Sequence, residues 1–193
     1  MTTVRAFIAI DLPEILQERL RALDRKLRPQ FEGLPLHWVP VENIHLTLKF
    51  LGDVSQDNLK SIAEVLQKEC ATAAPFEVHV EGLGLFPNAQ RPRVIWVGVS
   101  GGEPMLTLQQ SLEAGLAQLG YAPERRPFSP HLTLGRIQRK ADARQKKQVA
   151  DIIAQHDVGL LGTAVADEVA LFKSELNPDG AVYTKLAVAR LNP

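Results

Sequence analysis

The sequence predicts an α+β protein with antiparallel sheets and helices on their outer faces, organised as two related halves. Three observations carry this. Short apolar runs and amphipathic stretches mix along the chain without the strict rhythm that builds a parallel sheet. The tetrapeptide His45-Leu46-Thr47-Leu48 recurs 86 residues later as His131-Leu132-Thr133-Leu134. The same offset carries Leu85-Phe86 onto Leu171-Phe172 and Ile8 onto Val94, so one register serves three segments. Two copies of this length fill most of the 193 residues, which points to two lobes with approximate internal symmetry rather than two independent domains.

The elements follow in order. Ala6 to Leu12 is an apolar run of strand length, and Pro13 opens a helix, where its fixed φ suits the first turn and its missing N–H costs nothing. Ile15, Leu16, Leu20, Leu23 and Leu27 keep helical spacing along it. In the second half the matching strand is Arg93 to Val99. Pro104 then precedes a helix carrying Leu106, Leu108, Leu112, Leu116 and Leu119, and Gly120 ends it. A helix follows each His-Leu-Thr-Leu strand, over 56 to 70 and 142 to 155, with Asp57 and Asp142 near the positive ends of the two helix dipoles. Closing strands are expected at Phe76 to Phe86, where Phe76, Val78 and Val80 share a face, and at Thr163 to Phe172. Ala181 to Leu191 is the last strand.

Composition bounds the function. With 45% hydrophobic and 23% charged residues the chain is an ordinary globular protein, not a disordered, collagen-like or coiled-coil one. Its apolar runs fall far short of the roughly 20 residues that span a bilayer. No apolar stretch with a small-residue cleavage site follows the N-terminus. The single cysteine, Cys70, forms no internal disulfide, and an unpaired thiol suits a reducing compartment, so a cytoplasmic location is expected. The 22 basic and 22 acidic residues cancel, yet Arg125 to Lys147 holds eight basic residues and one acidic residue, Asp142. The protein is therefore no generic polyanion binder, but one side of it can attract a polyanion. A solvated helix face over 142 to 156 accounts for about half of that charge.

The two repeated motifs carry chemistry. In a strand, residues two apart share a face, so His45 and Thr47 look one way and Leu46 and Leu48 the other, and likewise for His131, Thr133, Leu132 and Leu134. The leucines belong to the core, and the internal symmetry lets the two polar faces converge on one cleft. Histidine exchanges a proton near neutral pH, its unperturbed pKa being about 6.5. Two opposed histidines supply the base and the acid of an in-line displacement at phosphorus, while threonine hydroxyls hold the non-bridging oxygens. A lone strand histidine is most often a hydrogen-bonded structural residue; an identical pair in a repeat reverses those odds. Two histidines also ligate zinc or iron, but no carboxylate or cysteine stands at ligand spacing beside them. The G-x-S-x-G, P-loop and dinucleotide fingerprints are missing.

The motifs H-L-T-L-K-F-L-G, His45 to Gly52, and P-H-L-T-L-G-R, Pro130 to Arg136, resemble the paired HxTx motifs of the 2H phosphoesterase superfamily. The start R-A-F-I-A-I-D-L-P, the stretch G-L-G-L-F-P-N with R-P-R-V-I-W-V-G-V after it, and R-P-F-S-P-H-L-T-L-G-R narrow the resemblance. They are similar to the bacterial and archaeal RNA 2',3'-cyclic phosphodiesterases, also called 2'-5' RNA ligases, over essentially the whole chain. The resemblance implies a single bilobal domain over 1–193, with two antiparallel sheets forming a V-shaped cleft and one HxTx from each lobe. It implies opening of 2',3'-cyclic phosphates on RNA ends or nucleotides to 2'-phosphomonoesters, without metal or other cofactor, and reversible 2'-5' ligation. No membrane partner is expected, and the chain is expected to act as a monomer. By the same resemblance His45 is the general acid, His131 the general base, and Thr47, Thr133 and Arg136 bind the phosphate. The sequence itself leaves acid and base unassigned, because the repeat makes the two histidines equivalent. Strand parity turns Arg136 away from His131 unless Gly135 permits a bulge that redirects it.

Among lesser candidates, Lys49 shares the parity of His45 and Thr47 and on that side would add positive charge, yet its counterpart in the second half is Gly135, so the resemblance does not require it. Phe7 and Phe128 are core residues or, less readily, stacking platforms for a base. His37, His79 and His156 lack the motif and are expected to be surface or structural, Trp96 to be packing, and Cys70 a small buried residue. A non-catalytic RNA- or nucleotide-binding module is the alternative from another class; two intact proton-transfer groups argue against it.

Overall fold

Apolar alternation fixes the strands and 3.6-residue spacing the helices. The computed structural model describes residues 2–177 and 180–192. Its elements are β1 (Thr3–Asp11), α1 (Glu14–Leu27), β2 (Leu36–Trp38), β3 (His45–Ser55), α2 (Leu59–Cys70), β4 (Phe76–Phe86), β5 (Val94–Ser100), α3 (Gly102–Gln118), β6 (His131–Ile137), α4 (Ala143–Ala154), β7 (Leu160–Ala166), β8 (Glu168–Asn177) and β9 (Gly180–Arg190). Among the described residues no helix is long and apolar enough to cross a membrane.

The strands form two sheets with every pairing antiparallel, in the orders β3-β1-β8-β9 and β2-β6-β5-β4-β7. The second order repeats the first once β2 is set aside: β6 stands for β3, β5 for β1, β4 for β8 and β7 for β9. Each half of the chain therefore gives two strands to the other half's sheet, β2 and β4 to the second and β8 and β9 to the first. The helices cover the outer faces. Leu16, Leu20, Leu23 and Leu27 of α1, Ile62 and Leu66 of α2, Leu108, Leu112 and Leu116 of α3, and Val149 and Ile153 of α4 join one core with the outward residues of both sheets. The inner faces meet where β3 and β6 approach each other.

Helix ends follow local chemistry. Asp142 caps α4 in a reciprocal box: its carboxylate accepts the Gln145 N–H at 2.7 Å and the Gln145 side chain accepts the Asp142 N–H at 3.0 Å. At the end of α3, Gly120 takes φ 91° and the Tyr121 N–H donates back to the Leu116 carbonyl at 3.1 Å, a turn that favours glycine.

Some expectations need correction. Thr163 to Phe172 is not one strand: the chain leaves the second sheet after Ala166, opposite Phe76, and enters the first at Glu168, opposite Arg190. An extended crossing keeps the alternation running through Asp167, so periodicity does not show it. Residues 56 to 58 form a 3-10 turn, so α2 starts at Leu59 and Asp57 lies two residues ahead of it. Helix α3 starts ahead of Pro104 and buries Met105, while Leu106 and Leu119, like Ile15 of α1, are exposed. The residue that takes the place of Val94 is Phe7, not Ile8: Phe7 lies opposite Phe50 and Val94 opposite Arg136, because the chain between strand and motif is one residue longer in the first half.

The strand exchange predicts one cooperative unit. Residues 1–90 and 91–193 made separately should each fail to fold, and the intact chain should unfold in a single urea transition. Far-UV circular dichroism and tryptophan fluorescence midpoints that separate would contradict this.

Candidate active site

The walls of the cleft come from the two motif strands. Leu46 and Leu48 are 1% and 3% exposed and Leu132 and Leu134 0% and 4%, so the leucines fill the core and both histidines and both threonines face the cleft, as alternation requires. His45, Thr47, His131, Thr133 and Arg136 line a single hollow of about 180 Å3 with Asn43, Phe50 and Tyr183.

Beyond the threonines both strands break parity at the same point. In β3, Thr47 lies opposite Ala9 and Lys49 opposite Ile8, leaving Leu48 as an extra residue; in β6, Thr133 lies opposite Trp96 and Gly135 opposite Ile95, leaving Leu134 extra. A bulge of this kind sends each following side chain to the other face. Lys49 turns inward, 6% exposed, and Arg136 turns outward into the cleft. Arg136 thus joins the site through the bulge that Gly135 made conceivable. The expectation for Lys49 is overturned: its ammonium donates to Glu113 of α3 at 2.5 Å and to the Ala122 carbonyl at 2.7 Å, away from the cleft. β2 lies against Gly135, where a Cβ would stand a tight 3.3 Å from the His37 carbonyl oxygen and the Trp38 ring.

The same bulge delivers Phe50, which alternation from His45 hides. Phe50 occupies in β3 the place of Arg136 in β6, and it is 61% exposed at the cleft mouth. Its signal was available in the repeat, since Phe50 aligns with Arg136 at the offset of the motifs. Tyr183 of β9 and Asn43 carry no such signal.

Each histidine is oriented by the same bond. His45 Nδ1 lies 2.9 Å from the Asn43 carbonyl oxygen and His131 Nδ1 2.7 Å from the Ser129 carbonyl oxygen, in both cases two residues upstream. A carbonyl only accepts, so Nδ1 carries the proton and Nε2 is left for the cleft. His45 also stacks on Phe7, ring centroids 4.6 Å apart, with Phe172 beneath Phe7 and the edge of Tyr183 at 5.2 Å. Phe7, a buried residue as expected, belongs to a small cluster on the cleft face. Phe86 takes the place of Phe172 in the second sheet and sets its edge against His131 at 4.8 Å. Trp96 packs on this face rather than in the core, flat over Gly84, where a Cβ would lie 2.1 Å from the ring. Phe128 packs against the core and Cys70 is fully buried. His79 pairs with Glu77, and His156 meets the Ile152 carbonyl and Gln30.

Burial lowers the pKa of His45 to about 4, opposed by its bond to Asn43 and by Asp11, and reinforced by Arg136 and His131. Burial likewise lowers His131, opposed by the Ser129 carbonyl and reinforced by Arg136. Both shifts favour the neutral ring. Arg136 forms no salt bridge among the described residues. A cation without a counter-ion beside two imidazoles is a receptor for an anion, which would also restore the proton affinity of the rings. A larger hollow of about 330 Å3 between α2 and α3 gathers Glu69, Glu103, Thr72, Thr107 and Ser111. With no histidine, lysine or arginine in its lining, it has nothing to receive a phosphate. Among the described residues no group of three or more histidine, cysteine, aspartate and glutamate side chains is placed to hold a metal ion.

Comparison with known proteins agrees with this geometry. The chain matches the family described as LigT like phosphoesterase twice, over residues 10–96 and 97–183. It is 37% identical over 188 residues to the RNA 2',3'-cyclic phosphodiesterase of Methanothermobacter thermautotrophicus, covering 97% of this chain and 99% of that one. The protein of the same description from Archaeoglobus fulgidus is 34% identical, with 96% and 99% covered. Among solved structures, a Thermus thermophilus protein superposes with a TM-score of 0.80 at 31% identity over 97% of both chains. Escherichia coli LigT complexed with 3'-AMP superposes with a TM-score of 0.79 at 25% identity over the whole of both.

Because Arg136 disfavours both imidazolium ions, Arg136→Gln should move the titration midpoints of His45 and His131 to higher pH, read from the ring proton resonances in NMR. Midpoints that stay in place would mean the guanidinium does not face the rings.

Proposed function

The chain belongs to the LigT-like phosphoesterase family, and we propose that it hydrolyses RNA ends bearing a 2',3'-cyclic phosphate to 2'-phosphomonoesters without a metal. The observation that carries this is the pair of histidines whose Nδ1 atoms are tied in the same way and whose Nε2 atoms are left for one cleft beside an unpaired arginine.

His131 Nε2 takes a proton from water as its oxygen attacks phosphorus, and the P–O3' bond breaks on the opposite side. His45, protonated, gives its Nε2 proton to the departing O3', leaving the phosphate on O2'. Arg136 and the hydroxyls of Thr47 and Thr133 hold the non-bridging oxygens in line, and the exposed face of Phe50 takes the terminal base. The assignment of acid and base is the one the family resemblance implies, and the halves differ around the two rings. Asp11 lies opposite His45 and Gly98 opposite His131. The Asp11 charge opposes the lowering of His45 by burial without cancelling it, and Asp11 also pairs with Lys185 at 2.6 Å, so His45 as acid follows the family resemblance. With a 5'-hydroxyl in place of water, the same groups form a 2'-5' phosphodiester, and in reverse they cleave it. The absence of a three-ligand cluster among the described residues supports the metal-free route. The buried single thiol of Cys70 supports a cytoplasmic setting.

An oligoribonucleotide ending in 2',3'-cyclic phosphate, incubated with enzyme and chelator, should yield a 2'-phosphate end. A 3'-phosphate product would refute the proposed geometry, and loss of activity restored by zinc or manganese would refute metal independence. Binding of the substrate without turnover would identify a binding module instead.

His45→Ala and His131→Ala should each lower the rate on the order of 10²-fold or more, and the double variant by far less than the product of the two. The pH profile of kcat/KM should be a bell whose limbs reflect both lowered rings, with its maximum on the acid side of about 6.5. A bell centred above that value would contradict the burial of the pair. Phe50→Ala should raise KM with less effect on kcat, as expected of a residue that holds the base and not the reacting atoms.

A further inference from the structure

The strand orders of the two sheets differ at one place, the outer edge of β6. There β2 adds a strand, while β3 is itself an edge of the first sheet. That strand brings His37 directly opposite Arg136, and residues opposite each other in a ladder share a face, with Cβ atoms about 5 Å apart. His37 is exposed, and among the described residues its ring makes no hydrogen bond, unlike the rings of His45, His131, His79 and His156.

The same end of the second sheet gathers free positive charge. Arg91 and Arg93 lead into β5, and the Arg93 carbonyl accepts the Ile137 N–H at 2.9 Å. Arg139 and Lys140 sit in the turn that leaves β6, whose Gln138 N–H donates to the Pro35 carbonyl at 2.8 Å, just ahead of β2. All four are exposed, and with Arg136 none of them pairs with a carboxylate among the described residues. The nearby Asp142 is committed to capping α4. Like charges gathered without counter-ions repel one another, and a polyanion relieves that repulsion.

We infer that β2 extends the phosphate side of the cleft into a track for the RNA strand, in which His37 donates an N–H to the phosphate next to the reacting one and Arg139 and Lys140 meet the phosphates beyond. The inference rests on the proposed substrate: when the reacting group is a terminal cyclic phosphate, every other phosphate lies upstream on the same strand. A phosphate on His37 is then the neighbour of the one on Arg136, since the two side chains stand side by side. The basic segment seen in the sequence thereby divides, with Arg136 at the reacting phosphate and Arg139 and Lys140 on the strand behind it.

The test measures binding, so that it does not depend on turnover. Fluorescence anisotropy follows a single-stranded oligoribonucleotide ending in 2'-phosphate, with a nucleoside 2'-monophosphate as competitor, across a salt series. His37→Ala should weaken the oligonucleotide roughly 5- to 20-fold and leave the monophosphate unchanged, and His37→Gln, which keeps a donor, should recover part of the loss. Arg139→Ala with Lys140→Ala should flatten the salt dependence for the oligonucleotide by up to about 1.4 in log–log slope, at about 0.7 per contact. Lys60→Ala with Lys68→Ala on α2, an equal charge change elsewhere, should not. The track is refuted if His37→Ala binds the oligonucleotide as wild type does, if it weakens both ligands alike, or if the two α2 substitutions flatten the slope equally. Failure of the proposed reaction shows separately, as intact cyclic ends in wild-type incubations while the binding differences persist.

Discussion

One extra residue in each motif strand decides what the cleft contains. Without the bulges at Leu48 and Leu134, alternation from the histidines would leave Lys49 and Gly135 facing the cleft and send Phe50 and Arg136 into the core. A buried arginine without a carboxylate and a glycine in its place would make neither a core nor an anion site. The bulges are affordable because each follows a leucine-lined stretch whose inward side chains are already anchored, with the local disruption falling on backbone at the junction of the two sheets. In the first half the inward residue is Lys49, which ties β3 to Glu113 and to the loop after α3. That loop continues to Ser129, whose carbonyl orients His131. The buried ion pair thus sits between the two motifs.

Orientation and charge in the site come from different sources. Backbone carbonyls two residues upstream fix the rings, which costs no side chain and so survives sequence change elsewhere in the loop. The charge state is set by burial against Phe7, Phe172 and Tyr183 on one side and by Arg136 on the other. Both influences keep the imidazoles neutral, and an entering phosphate opposes both. On the proposed mechanism, substrate binding and protonation of the acid are therefore coupled. A site of this kind holds its proton donor ready only when an anion is present.

Much of this was legible in the sequence, for particular reasons. The motif histidines and threonines could be placed because period-two alternation acts over three residues, too short for a bulge to intervene, and because the repeat doubled the signal. Arg136 was legible only by resemblance, since a bulge leaves no mark in the residue pattern beyond a permissive Gly135. Phe50 lay behind the same obstacle. Lys49 was misplaced by extending the alternation one step past Leu48. The crossing at Asp167 was invisible because a strand that changes sheets keeps its alternation, whereas the breaks at Gly120 and Asp142 were visible because helix ends demand specific capping chemistry. Tyr183 comes to the site from β9, more than 130 residues from His45, and only tertiary pairing brings it there.

A duplicated scaffold gives two equivalent histidines, but an in-line displacement needs them to differ. The fold resolves this at positions that the symmetry pairs and the sequence distinguishes. Asp11 and Gly98 lie opposite the two histidines, so only His45 has a carboxylate that opposes the lowering of its pKa by burial. Phe50 and Arg136 emerge from the two bulges, so one wall offers an aromatic face and the other a cation. Lys49 and Gly135 turn inward, and only the second sheet carries an added strand, β2, along its motif strand. The residues that emerge from the bulges place an aromatic face, Phe50, on the wall of the proposed acid and a cation, Arg136, on the wall of the proposed base. A nucleotide end, with a flat base on one side and phosphates on the other, has the same polarity, and it enters such a cleft in one orientation.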